Sequence, residues 1–402
     1  MKLAPPSPMA RLLPGFPPCL CLLLILAWAP ALPAQTTAEW VYHKTADGLH
    51  PDGNEQQLVW LMNRARANPA AEGLFLTNSG DPGINSGISF FQISPTQIQS
   101  EFAAIPAKPP AAFDRRLYEA SRVHSLDLIA RDAQDHENQF TRITASGFVW
   151  TSANVSVFSY SQSALQAHGA LNIDWGYPRP PAGDGMQAGR GHRAAIMSNQ
   201  STLLTNVGFA LVPESNPGTD VGPWVFSGAY CSASTATSIA TSHSNRFLVG
   251  TVWKDLNANN RYDSGEGLNQ VRVQPDSGPW HAITGLAGGW AIPVSTAATY
   301  TLTFSGPPLI NPLMRTATVG SSSVLADVKV SPAAVPLVLG VRPGAGGQLI
   351  LEWGGGTPPY QLQRSPSLSS GTWINVGSTT SATTLSVSSS GSRGFYRVID
   401  SQ

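Results

Sequence analysis

Helical periodicity is confined to the first 173 residues of this chain, and beyond that point the apolar runs are short and closed by glycine or proline. From Glu55 to Arg66, apolar Leu58, Leu61, Met62 and Ala65 recur at i, i+3, i+4 and i+7, the spacing of one helix face. Asn68-Pro69 ends or breaks that helix, because the residue before proline avoids the helical region. Asp114 can cap a second helix whose stripe is Leu117, Ala120, Val123, Leu126, Leu128 and Ala130. Ala164 to Ile173 makes a third, closed by Asp174-Trp175-Gly176. Ser152 to Phe158 alternates as a strand, and Asn206 to Val212 with Trp224 to Tyr230 predict an antiparallel hairpin around the turn-rich Pro213–Pro223. Helices first and antiparallel strands later, with no βα alternation, point to a layered α+β domain.

Gly80 to Pro110 is expected to be a long irregular insertion, rich in glycine, proline and serine, either a cover over a site or loose. Ser232 to Ser244 has linker composition. Beyond it, Phe247–Trp253, Val271–Val273, Trp290–Ile292 and Tyr300–Phe304 read as short strands of a small β-sandwich over 246–330. A further sandwich over 335–402 is expected from Leu349–Trp353, Tyr360–Arg364, Trp373–Val376 and Phe395–Val398.

Charge excludes some partners. Lys+Arg and Asp+Glu are both 24, so no net field draws in nucleic acid or an acidic membrane face. Lys2 and Arg11 precede an apolar run, Cys19 to Trp28, too short to span a bilayer. Small residues at Ala29, Ala31 and Ala34 follow, so 1–34 reads as a secretory signal peptide and Gln35 to Pro51 as a polar lead. Pro17 and Pro18 before Cys19 argue against a lipoprotein. No later run is long enough for a transmembrane helix. Cys19 and Cys21 leave with the signal, which makes Cys231 a small buried apolar residue rather than half of a disulfide. The expected location is outside the cell.

One constellation looks like a site. The glycine-rich stretch Gly189-Arg190-Gly191-His192-Arg193-Ala194-Ala195-Ile196-Met197 carries one histidine, and His136 sits in a polar run after the second helix. Asn154, Asp174 and Trp175 complete the group, while His124 and His168 lie within helices, His124 as a structural residue in the first instance. Residues ~50 to 233 resemble the CAP superfamily of cysteine-rich secretory and SCP-like domains. The likeness rests on the order of Leu61–Pro69, Ala112–Leu117, His124–Asp127, His136, Ala153-Asn154-Val155, Asp174-Trp175, Gly191-His192-Arg193 and Asn206–Phe209. It implies an α-β-α sandwich over 50–233 and a shallow cleft with two histidines that can bind a divalent metal. Binding residues are then expected at His136, Asn154, His168 and His192. The family's Glu-Asn pair appears here as Ala153-Asn154, so one carboxylate is missing, and a stable zinc site wants three or four ligands. Asp174 or His168 could stand in if they face the cleft.

A second constellation lies in the 246–330 module. Asp255, Asn257, Asn259, Asp263 and Glu266 place oxygen side chains at loop positions 1, 3, 5, 9 and 12, and Arg261 at position 7 offers its carbonyl. That is the ligand spacing of a calcium loop, with Asn260 where glycine normally makes the turn. With Gly250–Asp255 and Glu266–Leu268, the region is similar to the SdrD B-type repeats of bacterial surface proteins. The segment 335–402 is similar to fibronectin type III-like sandwiches, on Tyr360–Ser365, Gly371-Thr372-Trp373 and Phe395–Val398. The sequence thus supports a secreted, non-catalytic binding or scaffolding protein of the bacterial envelope or exterior, its cleft holding a small apolar or glycan ligand or an envelope component. The rival is a metal-dependent, protease-like hydrolase in which His136 and His192 work with Asp174 as the replacement carboxylate.

Overall fold

The computed structural model describes residues 37–236, 241–330, 337–356, 358–368, 372–388 and 394–400. The signal peptide expected over 1–34 lies outside them. The chain starts with a short strand, β1 (Ala38–Glu39), and then four helices, α1 (Gly53–Ala67), α2 (Pro69–Thr77), α3 (Pro82–Phe91) and α4 (Pro95–Ala103). Next come β2 (Ala112–Phe113), α5 (Arg115–Arg131), α6 (Gln139–Ala145), β3 (Trp150–Ser161), α7 (Ala164–Ile173), α8 (Gly191–Ile196), β4 (Asn206–Pro213) and β5 (Trp224–Ala233). Strand order β2-β4-β5-β3 makes a four-stranded sheet in which β4 and β5 form the expected antiparallel hairpin and β3 lies at an edge.

Alternation along the strands sends successive side chains to opposite faces. Phe209, Phe226 and Tyr230 join Met62 and Leu171 on one face, whereas Val155, Ala229 and Cys231 meet Leu117 and Ala120 on the other. Helices therefore cover both sides of the sheet, and the first domain is α+β. Cys231 is free and fully buried, and its burial pushes the thiol well up.

The stretch 80–110 is not irregular: it holds α3 and α4. The residues that read as turn formers are helix starts. Asp81 accepts from Ile84 N with Pro82 in the first turn, and Ser94 accepts from Gln97 N with Pro95 in the first turn. Proline at that position surrenders only an amide that has no partner anyway.

Two supposed tethers are also structured. The lead enters the second module: β1 pairs in parallel with β8 (Trp280–Ile283), and Trp40 is buried against Phe247 and Trp280. Residues 237–240 of the expected linker lie outside the described residues; near its end Val149 N donates to His243 Nε2, and just past it Asn245 bonds Thr205 and Ala233. The rest of the second module is β6 (Phe247–Trp253), β7 (Arg272–Pro275), β9 (Gly289–Pro293), β10 (Ala298–Ser305), β11 (Leu313–Val319), β12 (Val324–Leu325) and β13 (Val328–Lys329). Its two sheets share one core, with Leu248 and Ile292 from one facing Val273, Leu302 and Phe304 from the other. The last module contains β14 (Val338–Pro343), β15 (Gln348–Gly354), β16 (Tyr360–Ser365), β17 (Ile374–Asn375), β18 (Thr384–Ser388) and β19 (Phe395–Asp400). They form two three-stranded sheets around Leu351, Trp353, Leu362 and Val398. Among the described residues no helix is long and apolar enough to cross a membrane.

The first two modules meet along α1. Gln56 Nε2 donates to Thr251 Oγ1 at 2.8 Å, Gln57 Nε2 to Asp263 Oδ1 at 2.8 Å, and the Trp60 and Trp253 rings meet edge to face. A Cβ on Gly53 would lie 2.3 Å from Ser264 Oγ, so only glycine admits that approach.

Two buried cations-in-waiting test this packing. Arg66, wholly buried, donates to the carbonyls of Ile196 at 2.6 Å and Leu204 at 2.8 Å, and burial lowers its pKa to about 10. Arg66→Met strands those carbonyls, and denaturant unfolding should show a loss on the order of 3 kcal/mol. His43 Nε2 donates to Ile283 O at 2.9 Å while its Nδ1 has no partner, and burial with Lys44 nearby lowers its pKa to about 4. A depressed histidine leaves stability intact above its unfolded pKa and costs stability as pH falls from ~6.5 toward ~4, by up to about 3 kcal/mol. His43→Gln keeps the donor but cannot titrate, so its unfolding free energy should fall less across that window than the parent's.

Candidate functional site

Asp174 ends α7 in the left-handed region, at φ 60°. Its buried carboxylate accepts from His192 N at 3.0 Å and from His192 Nδ1 at 2.8 Å. The approach to His192 is just as fixed. Gly189 and Arg190 take φ values of 78° and 49°, and Arg190 is clamped by Glu101 at 3.0 Å and Asp184 at 2.5 Å. Arg193, one residue past His192, donates to Asn172 O and Ile173 O and pairs with Glu101. The inserted helix α4, which carries Glu101, thus helps to hold α8 in place.

The second histidine comes from the turn between α5 and α6. His124 Nε2 donates to Asp135 O at 3.0 Å, and Arg142 donates to Glu137 O at 2.7 Å and to His124 Nδ1. Burial, with Arg142 adding to it, lowers the pKa of His124 to about 4, so His124 is a neutral strut. The turn it holds presents His136, whose Nδ1 lies 2.8 Å from Gln139 Oε1. Gln139 is itself buried, its Nε2 donating to Ser156 O and Gly228 O at 3.1 and 3.3 Å.

These bonds decide the tautomers. Gln139 Oε1 and Asp174 Oδ1 are both acceptors, so each Nδ1 carries a proton, and in the neutral rings each Nε2 presents a lone pair. The two Nε2 atoms stand 3.4 Å apart, with ring centroids 5.5 Å apart. Two lone pairs facing each other call for a proton or a cation between them. Zinc held by two nitrogens at 2.0–2.1 Å and the tetrahedral angle sets those nitrogens about 3.4 Å apart, so the pair fits such an ion. His136 and His192 would supply two ligands and leave the remaining positions open.

Other expected partners do not join them. His168 is buried elsewhere, its Nε2 2.9 Å from Glu72 Oε1. Burial would raise Glu72, but His168 and Arg64 together hold its carboxyl below the usual range. A histidine on an otherwise apolar helix face can satisfy itself internally, and this one does. Asn154 donates to Gln200 Oε1 at 3.2 Å and bonds neither histidine. Asp174 orients His192 and is spent on that task. Glu137 is exposed and faces Arg131 at 3.6 Å. As for nucleophiles, Ser156 Oγ is bonded to Tyr230 OH, and Cys231 is buried as a thiol. Gln139 escaped the sequence reading, although its place three residues after His136 was a usable signal for a side chain that turns back.

A groove of about 410 Å³ leads away from His192. Val157, Ala170 and Leu171 line its base, and Phe91, Phe158, Tyr160, Trp175 and Tyr177 supply its aromatic surface. Trp175, one of the residues singled out in the sequence, stacks on Phe91 at 6.2 Å and 18°.

The Asp255 and Glu266 carboxylates of the loop 255–266 accept from the loop's own backbone. Asp255 accepts from Asn259 N and Asn260 N at 3.0 Å each, and Asn260 takes φ 59° in the place glycine usually fills. Glu266 is buried, its two oxygens accepting from Leu256 N at 2.7 Å and Asp263 N at 2.8 Å. Asn257 and Asn259 turn their amide groups toward Asp263, Lys329 Nζ lies 3.2 Å from Asp255, and the Arg261 side chain lies over Phe75. Among the described residues, three clustered ligand-type side chains within 4.8 Å occur at His50, Asp52 and Glu55 instead. There Asp52 and Glu55 form the capping box of α1, which accounts for their convergence.

No family model matches the chain, and no curated protein matches it. Two solved structures show limited likeness. A DUF3823 family protein from Bacteroides ovatus is 13% identical, covers 39% of this chain and 81% of its own, and has a TM-score of 0.17. A candidate carbohydrate binding protein from Bacteroides uniformis is 14% identical over 39% of this chain and 79% of its own, at a TM-score of 0.18. Likeness at that level decides neither fold nor ligand.

Proposed function

We propose that this chain is a secreted binding protein whose CAP-like domain captures a small ligand in the groove beside His192. A divalent metal between His136 and His192 would sit beside that groove, whose lining includes His192. The carrying observation is the pair of Nε2 lone pairs converging at 3.4 Å, each tautomer fixed from behind. A metal there would act as a Lewis acid toward an oxygen of the ligand. The protein's own residues hold its ligands still: Asp174 and Gln139 fix the rings, which typically matters 10–100-fold in metal affinity. With two protein ligands the affinity should be modest, and a ligand oxygen can complete the shell.

One observation favours the hydrolytic alternative. Asp174 behind His192 is the arrangement that makes an imidazole a competent general base. What stands against a metal-dependent hydrolase is the missing further ligand: Ala153 stands in place of a carboxylate, and both oxygens of Asp174 are taken by His192.

We propose separately that the loop 255–266 binds calcium. Its backbone path, its buried Glu266 and its left-handed Asn260 support that reading. Lys329 beside Asp255 offsets part of the charge, so affinity should lie in the weak range of extracellular modules, about 10⁻⁴–10⁻³ M.

Metal analysis and zinc titration calorimetry test the first proposal. Near-stoichiometric zinc is expected in the parent, falling at least about tenfold in affinity in both His136→Ala and His192→Ala. Zinc uptake indifferent to both substitutions would sink it, and casein turnover that vanishes in His192→Ala would replace it with the hydrolase. For the loop, millimolar calcium should stabilise the full chain by about 1 kcal/mol through mass action, read as a higher melting temperature. Glu266→Gln should erase the rise; an equal rise in that variant would put the ion elsewhere.

A further inference from the structure

Among the exposed large apolar residues of the first domain, Phe90, Tyr160 and Tyr177 are open to solvent at 53%, 41% and 65%. They are not scattered. Ring contacts run from Phe90 to Tyr177, Tyr177 to Phe91, Phe91 to Trp175, Trp175 to Phe158 and Phe158 to Tyr160, at centroid separations of 6.5, 5.5, 6.2, 6.1 and 6.3 Å. Six aromatic side chains from α3, β3 and the segment after α7 therefore form one continuous rail, and all of them but Phe90 line the groove that also includes His192. The inserted helix α3 makes the rail possible. A Cβ on Gly87 would sit 2.3 Å from Trp175 Cζ3, so the indole lies directly on the helix backbone.

The polar groups in the same groove are neutral and of both kinds. Gln134 Oε1 accepts from Ser159 N at 2.8 Å, which leaves its amide N–H groups to donate. Gln187 Nε2 donates to Trp175 O at 3.4 Å, which leaves its oxygen to accept. Among the described residues the groove lining carries no charged side chain, while the Arg179 guanidinium lies over the Phe90 and Tyr177 rings at 4.9 and 5.6 Å.

We propose that this groove binds a neutral oligosaccharide, with sugar rings laid on the Tyr177–Phe91 and Tyr160–Phe158 parts of the rail and hydroxyls met by Gln134 and Gln187. The inference rests on the groove being the ligand site of the preceding section and names the class of ligand. A pyranose has two apolar C–H faces and a belt of hydroxyls that both donate and accept, which matches aromatic faces interspersed with amides of both polarities. An acyl chain would ask for an aliphatic bore, and the aliphatic lining here is limited to Val157, Ala170 and Leu171. A peptide added to the edge strand β3 would need that edge's backbone groups, and Gln134 and Gln139 already occupy Ser159 N and Ser156 O. An anionic ligand would find one cation near the rail, Arg179, already laid over Phe90 and Tyr177 and bonded to Phe90 O.

The test is calorimetric titration of the full chain, zinc-loaded and zinc-free, with cellohexaose, maltohexaose, chitohexaose and mannohexaose, and with sodium dodecanoate and trigalacturonate as the apolar and anionic arms. At least one neutral hexasaccharide should bind with a dissociation constant of about 1 mM or tighter, and Tyr177→Ala and Tyr160→Ala should each weaken it about tenfold at unchanged melting temperature. Both side chains are exposed, so neither truncation removes core. Dodecanoate or trigalacturonate binding in place of every neutral sugar overturns the proposal, as does sugar binding indifferent to both tyrosines. Retained zinc uptake without any sugar binding overturns this inference alone and leaves the metal-anchored site standing.

Discussion

One buried carboxylate organises the active face of the first domain. Asp174 closes α7, and its two oxygens take the backbone and ring N–H of His192. Its carbonyl accepts from Gln187 N, which returns the intervening loop to the site. A carboxylate removed from water in this way is tolerable only while it is bonded to donors, so the turn, the start of α8 and the imidazole orientation stand or fall together. Gln139 does the same for His136 with a neutral side chain, tied to two backbone carbonyls of the sheet.

The rigidity of the pair comes from outside it. Glu101 on inserted α4 pairs with Arg190 and Arg193, and burial there is offset by those two guanidinium groups, which keep its carboxyl below the usual range. Arg66 on α1 closes the far end of α8. The insertion therefore acts twice, by clamping α8 and by placing Phe91 in the groove lining. The second module is likewise no loose appendage, since β1 and α1 both pack into it and the loop 255–266 rests against Gln57 and Phe75.

Much of the fold was legible along the chain. The third helix, Ala164–Ile173, and the hairpin around 213–223 lie where periodicity put them, because each rests on local pattern alone. The failures are informative. Asp81-Pro82 and Ser94-Pro95 have the composition of turns, yet each is a helix cap followed by its first residue. Local composition does not separate the two uses, since both exploit the same side-chain bond to a nearby backbone N–H. The polar lead and the linker read as tethers because neither shows periodicity, although Trp40 and Asn245 bind them down through single well-placed contacts.

The sequence by itself determined which residues could do chemistry: the histidines, the missing carboxylate at Ala153 and the oxygen spacing from Asp255 to Glu266. Each is a matter of residue type and local interval. Only the tertiary structure decided that His136 and His192 meet, 56 positions apart in the chain, while His168 turns away to Glu72. It also decided that Asp174 orients rather than coordinates, and that aromatic residues from separate elements form one surface. The physical reason is that a lone pair's direction and a carboxylate's partners are set by long-range packing, through helices and strands whose relative placement no local interval encodes.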